Sequence, residues 1–117
     1  MDAKIGSISL SGNKIVALNH PPVLETRTMT AGVTVIPAGE IMAFDATGGL
    51  VQYDPDAVDS KKDPVGVLIE EANPATEEPD GVILVHGTVR GSALTVQGAA
   101  ADADAIAAIR AIGIYAV

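Results

Sequence analysis

The sequence predicts a mainly β fold with one short C-terminal α-helix, and three observations predict it. From Val23 to Val89 the chain is a series of short apolar runs rich in Val, Ile, Leu and Thr, with the length and composition of strands. Clusters of Gly, Pro, Asp and Asn separate the runs, and these residues punctuate turns. The character then changes at "GAAADADAIAAIRAIG", residues 98–113, which is dominated by Ala, the best helix former.

Composition narrows the class further. The 117 residues suffice for one domain, which buries roughly two-thirds of its unfolded surface. The chain is 48% hydrophobic but only 3% aromatic, with no Trp, so its core is built from Val, Ile, Leu and Ala. Side chains this small make contact between copies a natural way to hide more apolar surface. There is no Cys, which removes disulfides, thiolate nucleophiles and thiolate metal sites and fits a reducing cytosol or a virus particle assembled there. The net charge of −8, from 15 acids against 7 bases, has the wrong sign for nucleic acid, and anionic membrane surfaces are disfavoured for the same reason. No apolar run approaches the ~18 residues of a spanning helix. The opening "MDAKIGSISLSGNK" lacks the apolar stretch of a signal peptide. A soluble protein that does not use the usual secretory route is expected.

Taken in order, residues 1–22 read as an extended arm and 23–117 as a β-rich domain. "SISLSGNKIVAL" holds two short β-prone pieces around the turn cluster Ser11-Gly12-Asn13-Lys14. Pro21-Pro22 fixes the backbone and removes two donors. "VLETRTMT", residues 23–30, alternates as a strand. In "VTVIPAGEIMAFDATGGLVQYDP", Pro37-Ala38-Gly39 is a turn, Ile41 to Phe44 a strand, Asp45 to Gly49 a hairpin loop and Leu50 to Tyr53 the return strand. Asp54 to Asp63 reads as a polar loop, Val65 to Ile69 as a buried strand, Glu70 to Gly81 as a long acidic loop and Val82 to Val89 as another strand. Asp102 or Asp104 can cap the helix. Ile106, Ile109 and Ile112, with Ala105 and Ala108, fall on one helical face. Arg110 suits the last turn and Gly113 the position past the end. "IYAV" closes the chain as a strand.

Candidate chemistry is sparse. His86, in "VILVHGTVRG", has no partner at a spacing that would make it a base, and a packed strand-end or interfacial His is the simpler reading. His20 sits beside two prolines with no ligand spacing to His86. Gly87 marks a bulge or a close backbone approach, and Arg90 reads as a surface cation. "DPDAVDSKKD" resembles a calcium loop only in its acids, lacking the central Gly and the terminal Glu. Glu70 and Glu71 are adjacent, so on a strand they would face opposite ways. No phosphate-binding loop is present. Neither an enzyme nor a cofactor is expected.

"PAGEIMAFDATGGLVQYDP", "DPVGVLIEE", "GVILVHGTVRGSAL" and the Ala-rich helix ending "IRAIGIYAV", in that order, resemble the phage-lambda-type head decoration proteins over roughly residues 21–117. The resemblance implies a capsid cement protein without catalytic activity. It would form homotrimers on the outer surface of the expanded head, at three-fold and quasi-three-fold positions, and stabilise the head against internal DNA pressure. Its partners would be the major capsid protein and itself, with no nucleic acid and no membrane. Its place would be the virion, after the host cytoplasm during assembly. The arm would dock on the shell through Ile5, Ile8, Leu10, Ile15, Val16, Leu18, Pro21 and Pro22. The trimer contact would include His86, Thr88, Arg90, Leu94, Ile109 and Ile112. "KIGSISLSGNKIVAL" departs from the pattern and implies a longer arm.

Two other classes compete. A monomeric small-molecule carrier or binding β-barrel is suggested by "VIPAGEIMAF", which resembles lipoyl- or biotinyl-carrying barrels, but the Asp45–Gly49 tip lacks the Lys they need. A hydrolase would rest on His86 with an acid such as Asp80.

Overall fold

Ten residues, Asp80–Val89, form the longest strand of the computed structural model, which describes residues 16–17, 22–32, 34–75 and 80–117. In chain order the elements are β1 (Val16–Ala17), β2 (Val23–Thr28), β3 (Ile41–Phe44), β4 (Leu50–Gln52), β5 (Pro64–Leu68), β6 (Asp80–Val89), β7 (Thr95–Val96), β8 (Ala99–Ala100), α1 (Ala103–Arg110) and β9 (Ile114–Ala116). Strand β6 organises the rest. Its first half is flanked on one side by antiparallel β2, from Thr28 opposite Asp80 to Val23 opposite His86. On the other side β5 places Val67 against Leu84. Next to β5 lies β3, which turns through Asp45–Gly49 into β4. Met29 then bridges Leu50, and the Thr30 amide donates to the Leu50 carbonyl. The sheet thus curls round until its last strand meets the chain leaving its first. Beyond His86, β6 carries antiparallel β1 on one side and parallel β9 on the other.

Both faces of this sheet are covered. Ile41, Ala43, Val67, Ile69 and Leu84 pack beneath Leu94, Ala105, Ile109 and Ile114. Met42, Leu68 and Ile83, their neighbours in sequence, point the other way onto Met29, Ile36, Leu50 and Ala72. Successive side chains alternate between faces, so with two cores the strands read as continuous apolar runs. Each fully buried aliphatic side chain contributes roughly 1.5–3 kcal/mol. The sheet is tight enough that a Cβ on Gly66 would lie 2.8 Å from the Leu84 carbonyl oxygen.

The sequence-based strands fall within a residue or two of the observed ones. β6 starts earlier, at Asp80, because the far end of β2 pairs with it. The reading of Gly87 holds. Its φ is 138, the Pro22 Cα lies 3.3 Å from where its Cβ would be, and the pairing with β2 shifts beside it, leaving Val85 unopposed. Asp102 is the helix cap, its Oδ1 accepting from the Ala105 amide at 2.9 Å.

Two expectations are corrected. Ile112 does not share the buried helical face of Ile109. The helix ends at Arg110, Gly113 reverses the chain at φ 97, and Ile112 is 40% exposed. Residues 99–100, expected to lead into the helix, form β8 instead, paired with β7 around Gln97-Gly98. The Asp54–Asp63 loop contains a 3₁₀ turn, Ser60–Lys62, capped by Asp59. The Ser11–Lys14 turn lies outside the described residues.

Candidate functional site

The end of β6, the α1–β9 turn and β9 together form one edge of the molecule. β6 brings His86 to the surface opposite Val23. The imidazole lies against the Gly113 backbone so closely that a Cβ there would be 2.6 Å from His86 Nδ1. Glycine is therefore required at 113 by space as well as by its φ. Next to His86 along this edge are Ile112, Tyr115 and Val117, 40%, 38% and 66% exposed. Arg90 is exposed at the end of the strand. The C-terminus is fixed there by backbone bonds, Val117 N to Val89 O at 2.9 Å and Gly91 N to Val117 O at 3.0 Å.

The six residues expected at a trimer contact divide into two sets. His86, Arg90 and Ile112 lie at this surface. Leu94 and Ile109 are buried inside the single chain, and Thr88 is 1% exposed between β1 and β9 with no partner for its Oγ1 among the described residues. These three shape the edge from beneath. Of the arm residues, Val16 falls in β1, opposite Val89, and Pro22 packs against Gly87. Ile5, Ile8, Leu10, Ile15, Leu18 and Pro21 lie outside the described residues, as does His20.

The catalytic candidates do not assemble. His86 and Asp80 are six positions apart on one extended strand, which at ~3.3 Å per residue separates them by about 20 Å. Glu70 and Glu71 lie exposed beyond the end of β5. The acids of residues 54–63 serve the loop itself. Asp54 accepts from the Asp56 amide, Asp59 accepts from the Lys61 amide, and Lys61 and Lys62 sit 3.5 and 3.4 Å from Asp59 and Asp63. Among the described residues no three His, Asp or Glu side chains are grouped to hold a metal ion. No helix among them is long and apolar enough to cross a membrane.

Two carboxylates have structural roles that the sequence reading missed. Glu40 is wholly buried. It accepts from Gln52 Nε2 at 2.9 Å, Thr95 Oγ1 at 2.6 Å, the Gln97 amide at 2.6 Å and the Gly98 amide at 3.2 Å. It thereby ties the β7–β8 hairpin to the sheet. The available signal was a lone acid, in "PAGEIMAF", between a turn and a strand with no polar neighbour. Asp45 organises the β3–β4 tip, accepting from Thr30, from the hydroxyl and amide of Thr47 and from the Gly49 amide. Led by the Thr30 bond, these hold its carboxyl well below the usual carboxylate range.

The family model described as Bacteriophage lambda head decoration protein D matches residues 17–114. A search of curated proteins finds no match to the chain.

Proposed function

The chain belongs to the bacteriophage lambda head decoration protein D family, which is structural and not enzymatic, and from that premise we propose that it cements the expanded phage head from outside as a homotrimer. The family match over residues 17–114 carries the reading. The exposed edge supports its trimeric part. Ile112, Tyr115 and Val117 gather apolar surface beside His86 and Arg90 on a protein whose net charge is −8. A ring of three copies would bury that edge in a head-to-tail contact, each copy presenting it to its neighbour.

The arm has a matching physical rationale. An extended segment offers backbone donors and acceptors to any open sheet edge. Val16–Ala17 already pair in this way with β6, so the reach toward the shell belongs to the residues before them. Three arms on one trimer convert weak single contacts into tight attachment. A ligand that binds only the intact head stabilises it by mass action. The major capsid protein is the partner on this reading, on the outer surface of the virion and in the host cytoplasm during assembly.

The test is co-sedimentation with expanded, empty heads, using the full chain and a chain starting at residue 16, alongside the mass of each in solution. A three-chain mass for both, with head binding weakened at least tenfold by the truncation, is expected. Undiminished binding of the truncated chain overturns the role of the arm. A strict monomer that leaves heads unstabilised overturns the cement reading.

A further inference from the structure

We propose that β2 is a docking edge for a second copy of this chain, the two β2 strands pairing antiparallel about a two-fold axis at Thr26. The pairing rests on the strand's own residues and not on the family reading above.

Strand β2 is hydrogen-bonded to β6 on one side, and among the described residues no strand lies along its other side until Met29 bridges Leu50. The Ile69 amide donates to the Val82 carbonyl, so Val82 turns its backbone toward β5. Thr26, opposite Val82, and Leu24, opposite Leu84, therefore turn their amides and carbonyls away from β6. Thr26, Arg27 and Thr28 are exposed along this edge. An opening of about 660 Å³ separates them from the β3–β4 tip at Thr47, Gly48 and Gly49, which leaves room for an incoming strand. A row of free backbone donors and acceptors is a template for such a strand.

Charge identifies the occupant. Glu25 and Arg27 lie two residues apart on one face of β2, with Arg27 Nη2 2.6 Å from Glu25 Oε1. When Thr26 lies opposite Thr26 of a second copy, each Glu25 faces the partner's Arg27. These are non-hydrogen-bonded positions, where opposed side chains come closest. A pairing centred on Glu25 would set acid against acid, and one centred on Arg27 cation against cation. Parallel strands would also bring like charges level. Charge thus selects one direction and one register, and the complementary strand is β2 itself. The net charge of −8 opposes approach. A stable interface engages roughly 20–30 residues a side, and β2 offers six. The contact is therefore weak in dilute solution and forms where copies are held side by side. A two-fold contact closes with two copies, and so differs from the head-to-tail contact proposed for the His86 edge.

The test is disulfide trapping. The chain has no Cys, so Thr26→Cys places a single thiol at the axis, where opposed Cα atoms about 5.5 Å apart suit a disulfide. With oxidised glutathione as oxidant, the full chain carrying Thr26→Cys should form disulfide dimers about tenfold faster, or more, than one carrying Ala107→Cys, at an exposed position on α1. Adding Glu25→Arg or Arg27→Glu to Thr26→Cys should slow dimer formation about three- to tenfold, because like charges then meet. Mixing these two charge variants should restore it as a mixed dimer, resolved by mass, since one strand then presents two cations to two acids. Dimer formation no faster than with Ala107→Cys overturns the docking edge. Charge variants that dimerise as fast as their parent, or a mixture that recovers nothing, overturn the pairing about Thr26. All of this is measured on the isolated chain without heads, so its failure is separate from failure of the cement reading in co-sedimentation.

Discussion

Strands β3, β5 and β6 and the β7–β8 hairpin are neighbours held by different physics. The strands are fixed by alternating aliphatic side chains that fill two cores, and backbone crowds backbone at Gly66. The hairpin has exposed residues at 97–100 and is held largely by polar bonds, three of them to the Glu40 carboxylate and one from the Thr95 amide to the Gly39 carbonyl. Apolar packing is distributed, so losing one side chain leaves many contacts. A buried carboxylate with four donors is concentrated, so losing it strands several polar groups together. The contrast teaches that the sheet should unfold as a unit, whereas the hairpin can open alone.

Leu84→Ala tests the distributed side and should have the largest effect. It removes a fully buried side chain of β6 and should cost about 2–5 kcal/mol. Chemical denaturation should show this as a lower midpoint with one cooperative transition. Glu40→Gln tests the concentrated side. The amide keeps the shape but turns an NH₂ toward donors, for an expected cost of about 1–3 kcal/mol. Hydrogen exchange should accelerate at the Gln97 and Gly98 amides while those of β6 stay protected, and equal acceleration in both places would erase the distinction.

Smaller still is the contribution of Asp45 at the β3–β4 tip. Its folded-state pKa lies below the ordinary value of 3.8. Its stabilising effect is therefore present above that value and is lost as the pH falls below it. Denaturation midpoints of the unsubstituted chain and Asp45→Asn should differ at pH 6 and draw together only as the pH falls well below 3.8, toward the depressed folded-state pKa. Thr88→Val should be the mildest change. The Thr88 hydroxyl is buried without a hydrogen-bond partner among the described residues, so its replacement by a methyl should leave stability within about 0.5 kcal/mol or raise it slightly.

Much of the sheet was legible because its signals are local. Ile41–Phe44 was readable from a turn before it and a Gly-containing loop after it, and Asp102 and Gly113 marked the ends of the helix region. The edge that gathers His86, Ile112, Tyr115 and Val117 was half legible. His86 and Ile112 are both exposed, but helical spacing placed Ile112 beside Ile109, and only the reversal at Gly113 turns it outward. Leu94 and Ile109 show the opposite limit, since an apolar residue reads alike whether it fills a core or an interface. Glu40 was missed because its four donors come from residues 12 to 58 positions away, and such a convergence leaves no mark in a short window.

By itself, the order of strands, turns and helix in the sequence determined an aromatic-poor β fold and its resemblance to capsid decoration proteins. Backbone propensity, turn chemistry and side-chain type act over a few residues, which is why they could be read. Only the tertiary structure decided that the sheet curls until Met29 meets Leu50 and that one buried acid gathers four donors from distant parts of the chain. Each depends on groups far apart in sequence, brought together once loop closure and packing have selected a single arrangement.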